Sequence, residues 1–209
     1  MKNKFNSIST AVLILQLIIA MPVLASNEEN NWELINDENE IQVYIYETDS
    51  SDIVKAKAKT VVRASMQIVK NKLDDIAHRH EWIPYLKQSK ALTVFKNNKR
   101  IEYSHFSAPW PASDRDFVYE IELISETANQ LVYKMHSVES DLMHIDPDKI
   151  RADLYESVYT LTVLDKSTTD VELIFYANPK GWLPDWIINI IQSVLPYRML
   201  NNLKLALDE

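Results

Sequence analysis

One histidine and five tyrosines are the residues of this sequence best placed to do chemistry. Apolar and polar residues alternate through 101–105, 117–123, 131–135, 155–163 and 171–177, which reads as strands. In that alternation Tyr103, His105, Tyr119, Tyr133, Tyr155, Ser157 and Tyr159 fall on the inward side, with Ile121, Met135 and Phe175. A buried tyrosine hydroxyl needs a hydrogen-bond partner. Five on one face suit a cavity with an apolar wall and a few polar handles, or a face whose hydroxyls reach its wet rim. His105 is the candidate acid–base, and it equally fits a histidine that orients a ligand or holds structure. The remaining histidines carry less. His78, His80 and Glu81 match no zinc spacing and read as a solvated helix end. His136 faces outward, and His144 sits in a polar loop with Asp141 and Asp146. No catalytic residue, metal or cofactor is expected.

Composition narrows the classes further. The chain has 209 residues, a single glycine, Gly181, and no cysteine. One glycine excludes the dinucleotide fingerprint, the P-loop, the kinase glycine loop and the nucleophile elbow. Absence of cysteine excludes disulfides, thiol nucleophiles and iron–sulfur ligation. A formal charge of −8 argues against nucleic acid as partner.

The elements that would position these residues follow from the pattern. Lys2 and Lys4, the apolar run Ala11 to Met21, and the ending Val23-Leu24-Ala25 have the layout of a secretory signal peptide, cut after Ala25. An uncut membrane anchor is the alternative. Residues 1–25 are then an address to the periplasm or the outside, and 26–209 one domain. Ile41, Val43 and Ile45 mark a first strand. Lys55, Lys57 and Lys59 mark one face of a second, near a sheet edge. Ser65 caps a helix bearing Met66, Val69, Leu73 and Ile76 at helical spacing. Asn97-Asn98 can turn a hairpin where glycine would ordinarily stand. Residues 138–151 read as a loop. After Asn178-Pro179-Lys180-Gly181 the chain turns helical to its end, and from Trp186 through Ile187, Ile190, Ile191 and Val194 it is apolar nearly all round. Such a helix is either sunk in a groove of the sheet or laid over a ligand cavity, and Pro196 should break it. The fold class is α+β: an antiparallel sheet with helices against one face.

Two segments carry a family resemblance. Pro109-Trp110-Pro111-Ala112-Ser113-Asp114-Arg115-Asp116-Phe117-Val118 resembles the approach to the central strand of START domains. Asn178-Pro179-Lys180-Gly181-Trp182-Leu183-Pro184-Asp185-Trp186-Ile187-Ile188-Asn189 resembles their entry into the C-terminal helix. Trp32-Glu33-Leu34 and Ile41-Gln42-Val43-Tyr44 are similar to the start of bacterial members. The resemblance implies a helix-grip fold, with a sheet wrapped around a long C-terminal helix and a hydrophobic tunnel between them. It implies that Ser107 to Ser113 and the helix from Trp182 form a lid. Trp110 would be an apolar tip at the mouth or pack on the helix. Arg115 would hold loops or pair with its neighbouring aspartates rather than touch ligand. Some sterol-binding members place a buried acid and arginine in the tunnel. Here the arginine position is Ile121, and alternation puts the matching acid, Glu102, on the outer face. That argues against a charged pair in this tunnel and against a sterol reading taken from those members.

The expected function is therefore burial of a hydrophobic ligand, a lipid in the first instance, which a monomer carries or senses in an exported aqueous compartment, with transient membrane contact. The expected ligand-binding residues are Tyr103, His105, Trp110, Tyr119, Ile121, Tyr133, Met135, Tyr155, Tyr159, Phe175, Trp186, Ile187, Ile190, Ile191 and Val194. Two other readings stand beside it: a cavity enzyme using His105 on a hydrophobic substrate, and a ligand-free interaction module of an envelope complex.

Overall fold

The computed structural model describes residues 31–48 and 53–208. The expected signal segment, 1–25, lies outside the described residues. The chain opens with β1 (Glu33–Glu38), β2 (Ile41–Tyr46) and β3 (Lys55–Val62), then α1 (Met66–Asp74) and a 3-10 helix (Ile76–Glu81). Next come β4 (Leu86–Ala91), β5 (Lys99–Phe106), β6 (Asp114–Glu126), β7 (Gln130–Ser137), β8 (Lys149–Arg151), β9 (Asp153–Val163) and β10 (Thr169–Asn178). The end is helical: α2 (Asp185–Asn189), a π-helical turn (Ile190–Val194) and α3 (Leu195–Leu207). The strand order is β1-β2-β3-β10-β9-β7-β6-β5-β4, all antiparallel, with β8 running parallel beside the start of β6.

Local chemistry explains most boundaries. The Ser65 hydroxyl accepts from the Ile68 N–H and caps α1, which buries Val69 and Leu73 one turn apart. Asn97 and Asn98, with φ of 53° and 62°, turn the β4–β5 hairpin as expected. Asn39 and Glu40 turn β1 into β2 with the same geometry, φ 52° and 62°. That turn is not legible in advance, because glutamate is a poor left-handed residue and β1 is almost wholly exposed. β8 is three residues long and emerges from a segment that reads as loop.

β3 departs from expectation. Its lysines do face solvent, but the strand lies between β2 and β10 rather than at an edge. Lys59 pairs with Glu172 at 2.6 Å and Lys55 with Glu156 at 3.5 Å. Cross-strand ion pairs on an outer face explain the lysine row as well as an edge would.

The C-terminal helix is interrupted where Pro196 demands it. Proline has no N–H to return to the carbonyl of Gln192, so the preceding turn widens into π geometry. α3 then packs on β2, β3 and β10 and fully buries Leu200 and Leu203, each contributing about 1.5–3 kcal/mol. The π turn before it packs on β2 and β3 as well.

A cavity between sheet and C-terminal helix

A cavity of about 180 Å³ lies between the inner face of the sheet and the C-terminal helices. Tyr119 and Ile121 of β6, Tyr133 and Met135 of β7, Tyr159 of β9 and Phe175 of β10 wall it, as alternation predicts. From above it is closed by Ile187, Ile190 and Ile191, followed by Leu195 and Met199. The helix that is apolar all round thus has two apolar surfaces to face, the sheet and a void.

Six expected residues do not line the cavity. Tyr103 and His105 point to the other side of β5. In the β5–β6 ladder Glu102 stands opposite Tyr119 and Ser104 opposite Phe117, and directly opposed residues share a face. Since Tyr119 and Phe117 line the cavity, Glu102 and Ser104 go inward and Tyr103 and His105 outward. Tyr103 is nonetheless buried, with Lys90 Nζ 5.2 Å from its ring centroid. His105 Nε2 lies 2.8 Å from Asp114 Oδ2, on the face of β5 away from the cavity.

Tyr155 is turned out by a bulge. The β9–β10 register shifts between Tyr176 and Ala177, leaving Tyr155 as the extra residue of β9. Leu154 takes the inward place, while Tyr155 is 44% exposed against Tyr176 and accepts from Asn178 Nδ2 at 3.1 Å. Trp110 is 89% exposed, so it does not pack on the helix. Trp186 is 47% exposed and stays outside the cavity that its neighbour Ile187 lines, the two being turned about 100° apart on the helix. Val194 ends the π turn half-buried outside the cavity, because the widened turn hands the inward position to Leu195.

The closed end of the cavity holds a network that alternation misplaced. Glu102 is fully buried, not on the outer face. Arg79 Nη1 from the 3-10 helix donates to its Oε2 at 2.5 Å, Arg100 Nε to Oε1 at 2.5 Å, and the Tyr119 hydroxyl to Oε2 at 2.9 Å. Arg79 also caps α1, donating through Nε and Nη2 to the Leu73 carbonyl. Arg100 reaches on to Asp74 at 3.3 Å, and Asp74 accepts from the Tyr133 hydroxyl at 2.9 Å. Burial opposes the charge on Glu102, but Arg79 and Arg100 outweigh it and hold the carboxyl below its ordinary range. Burial also raises Tyr119, Tyr133 and Tyr159, which keeps all three hydroxyls protonated at neutral pH. So the buried charged pair exists, and its arginine comes from the 3-10 helix rather than from β6, where Ile121 stands. Nothing in the spacing of residues 79 and 102 announces the pair.

The open end is built on one arginine. Arg115 donates to the carbonyls of Ser113, Pro179 (3.2 Å), Lys180 (3.0 Å) and Trp182 (3.3 Å). It ties the 107–113 loop to the entry of the C-terminal helix, the loop-holding role the resemblance implied, through backbone carbonyls rather than an ion pair. Gly181 has φ of 65° there, and a Cβ would stand 2.6 Å from Ile150 Cδ1, so both conformation and space favour glycine. Trp110 and Trp182 project from the two tied loops, and Trp186 follows from α2, at 89%, 68% and 47% exposure.

A family model for the START domain matches residues 23–204, and the chain belongs to that family. Phosphatidylcholine transfer protein of Mus musculus is 22% identical over 163 residues, which cover 76% of this chain and 75% of that protein. Human STARD10 superposes with a TM-score of 0.78 at 18% identity, over 87% of this chain and 74% of its own. A STAR-related lipid transfer protein from Xanthomonas axonopodis gives a TM-score of 0.74 at 24% identity, over 86% of this chain and 99% of that one. Those superpositions show the helix-grip fold.

Proposed function

We propose that this chain takes a lipid into the cavity and carries it through an aqueous compartment outside the cytoplasm. The carrying observation is the apolar cavity between sheet and helix, whose mouth is rimmed by exposed tryptophans. Relatives named for lipid transfer support the same reading. Binding is driven by burial, each methylene removed from water contributing about 0.8 kcal/mol. The cavity is smaller than the roughly 300–1,000 Å³ of ordinary ligand pockets. A whole lipid therefore enters only when the 107–113 loop and the 182–194 segment part. Tryptophan suits the bilayer interface, apolar in body and polar at one edge, and contact there would ease the opening. One chain supplies all the walls, so a monomer suffices. The signal-like segment 1–25 sends the protein to the periplasm or beyond. A carrier is favoured over an enzyme because, among the described residues, no histidine or carboxylate lines the cavity.

The test is organic extraction and mass spectrometry of the purified protein, paired with lipid transfer between phosphatidylcholine vesicles. The expectation is an extractable lipid near one per chain, and transfer that slows in Trp110→Ala with its fold intact. No extractable lipid together with no transfer would overturn the reading.

A further inference from the structure

Among the described residues two cationic side chains are buried, Arg79 at 7% exposure and Arg115 at 5%, and both line the cavity. They differ in what neutralises them. Arg79 meets the carboxylate of Glu102 at 2.5 Å. No carboxylate among the described residues pairs with Arg115. Its flanking aspartates point to the opposite face of β6, as neighbours along a strand do. On that face Asp114 takes Lys87 at 3.0 Å and His105 at 2.8 Å, and Asp116 takes Arg151 at 2.7 Å. Burial opposes the charge of both guanidiniums. Glu102 outweighs it at Arg79, which is raised above the ordinary arginine range, whereas at Arg115 burial prevails over Asp114 and lowers the group. The carbonyls around Arg115 satisfy its N–H groups but bring no counter-charge.

The direction of those N–H groups says where a counter-charge would come from. Nε and Nη2 form one edge of the guanidinium, and this edge donates to Pro179, Lys180 and Trp182, all at the entry to the C-terminal helix. If that entry moves away to admit a lipid, the edge loses its three acceptors together. Two parallel N–H groups on a planar fork match a carboxylate or a phosphate. A bond to an anion is about twice as strong as one to a neutral carbonyl, so an anionic head competes for the edge. Phe117 and Ile121 continue the face of β6 on which Arg115 stands and wall the cavity behind it. A head at Arg115 therefore leaves its tail against apolar side chains.

Resting on the carrier reading above, we infer that the ligand is an anionic lipid whose carboxylate or phosphate head takes the Nε–Nη2 edge of Arg115. The group that latches the mouth is then also the group that receives the head.

Three probes sharing one lauroyl chain test this: 1-monolauroylglycerol, ionised laurate and 1-lauroyl lysophosphatidate, titrated into the full chain by calorimetry at pH 8. Glycerol 3-phosphate, a phosphate head without a chain, is the fourth. At least one lauroyl anion is expected to bind about tenfold or more tighter than the glyceride, and glycerol 3-phosphate far more weakly than lysophosphatidate. Arg115→Gln should bring the anion-to-glyceride ratio down to about threefold or less. Arg115→Lys loosens the same loops but keeps the charge, so it should retain more of that ratio than Arg115→Gln. Loosened loops alone would shift all three lauroyl probes together and leave the ratio standing. A glyceride bound as well as either anion overturns the inference, as does a ratio that survives Arg115→Gln or falls equally in Arg115→Lys. Glycerol 3-phosphate bound as tightly as lysophosphatidate also overturns it, since the site would then serve free phosphate. If no probe binds, the inference falls, and if extraction of the purified protein also yields no lipid, the carrier reading falls with it.

Discussion

The two ends of the cavity are held by opposite means. At the closed end side chains bind side chains: Arg79, Arg100, Glu102, Asp74, Tyr119 and Tyr133 form one buried network of charge-assisted bonds. At the open end one guanidinium binds the backbone of two loops, and the side chains of those loops go to solvent as exposed tryptophans. A paired charge in a dry site is costly to break, so the closed end is rigid. Hydrogen bonds to loop carbonyls can be exchanged for water, so the open end can part without disturbing the core. A carrier needs that division, one end to hold the fold and the other to admit cargo.

The sharpest way to break the comparison is Glu102→Ala. It strands Arg79 in the interior and should cost about 3–5 kcal/mol, read from chemical denaturation. A loss below about 1 kcal/mol would mean that the closed end is not held by its charges. The same carboxylate predicts an acid limit. Its folded pKa is depressed below the ordinary 4.5, so its contribution is complete above that value and is lost as pH falls through the folded pKa. Stability should therefore decline below about pH 4.5, and Glu102→Gln should flatten that decline.

Arg115→Ala should cost less, about 1–3 kcal/mol, and its signature should be local. Amide exchange is expected to rise in 107–113 and 179–186 and stay unchanged in α1 and the 3-10 helix, while vesicle-to-vesicle transfer quickens. Exchange rising equally at both ends would erase the distinction between them. Gly181→Ala is a smaller version of that change. A left-handed backbone and the crowding against Ile150 should cost about 1 kcal/mol, measured as a lower unfolding midpoint with the closed end intact.

Much of the frame was legible from residues alone, and the limit fell at particular strands. Tyr119, Ile121, Tyr133 and Met135 were placed on the inner face because β6 and β7 alternate cleanly. On β5 both faces carry large or polar residues, Tyr103 and His105 on one and Glu102, Ser104 and Phe106 on the other, so period two was visible without its phase. Tyr155 failed for another reason, since a bulge adds a residue and no composition signal marks it. Arg79 lies among His78, His80 and Glu81, which read as a solvated helix end, and its partner Glu102 is 23 residues on in β5, beyond any local pattern.

By itself the sequence determined the alternation that makes a sheet, the helix apolar on every side, the Asn97-Asn98 turn and the glycine at 181. These follow from local sterics and from the periodicity of side-chain directions along one segment. Tertiary structure alone decided which face of β5 meets the cavity, which tyrosine the bulge expels, and that a glutamate sits inside beside an arginine. Those outcomes depend on partners distant in the chain. A buried charge or hydroxyl is tolerated or costly according to what stands opposite it, and only the folded register says what that is.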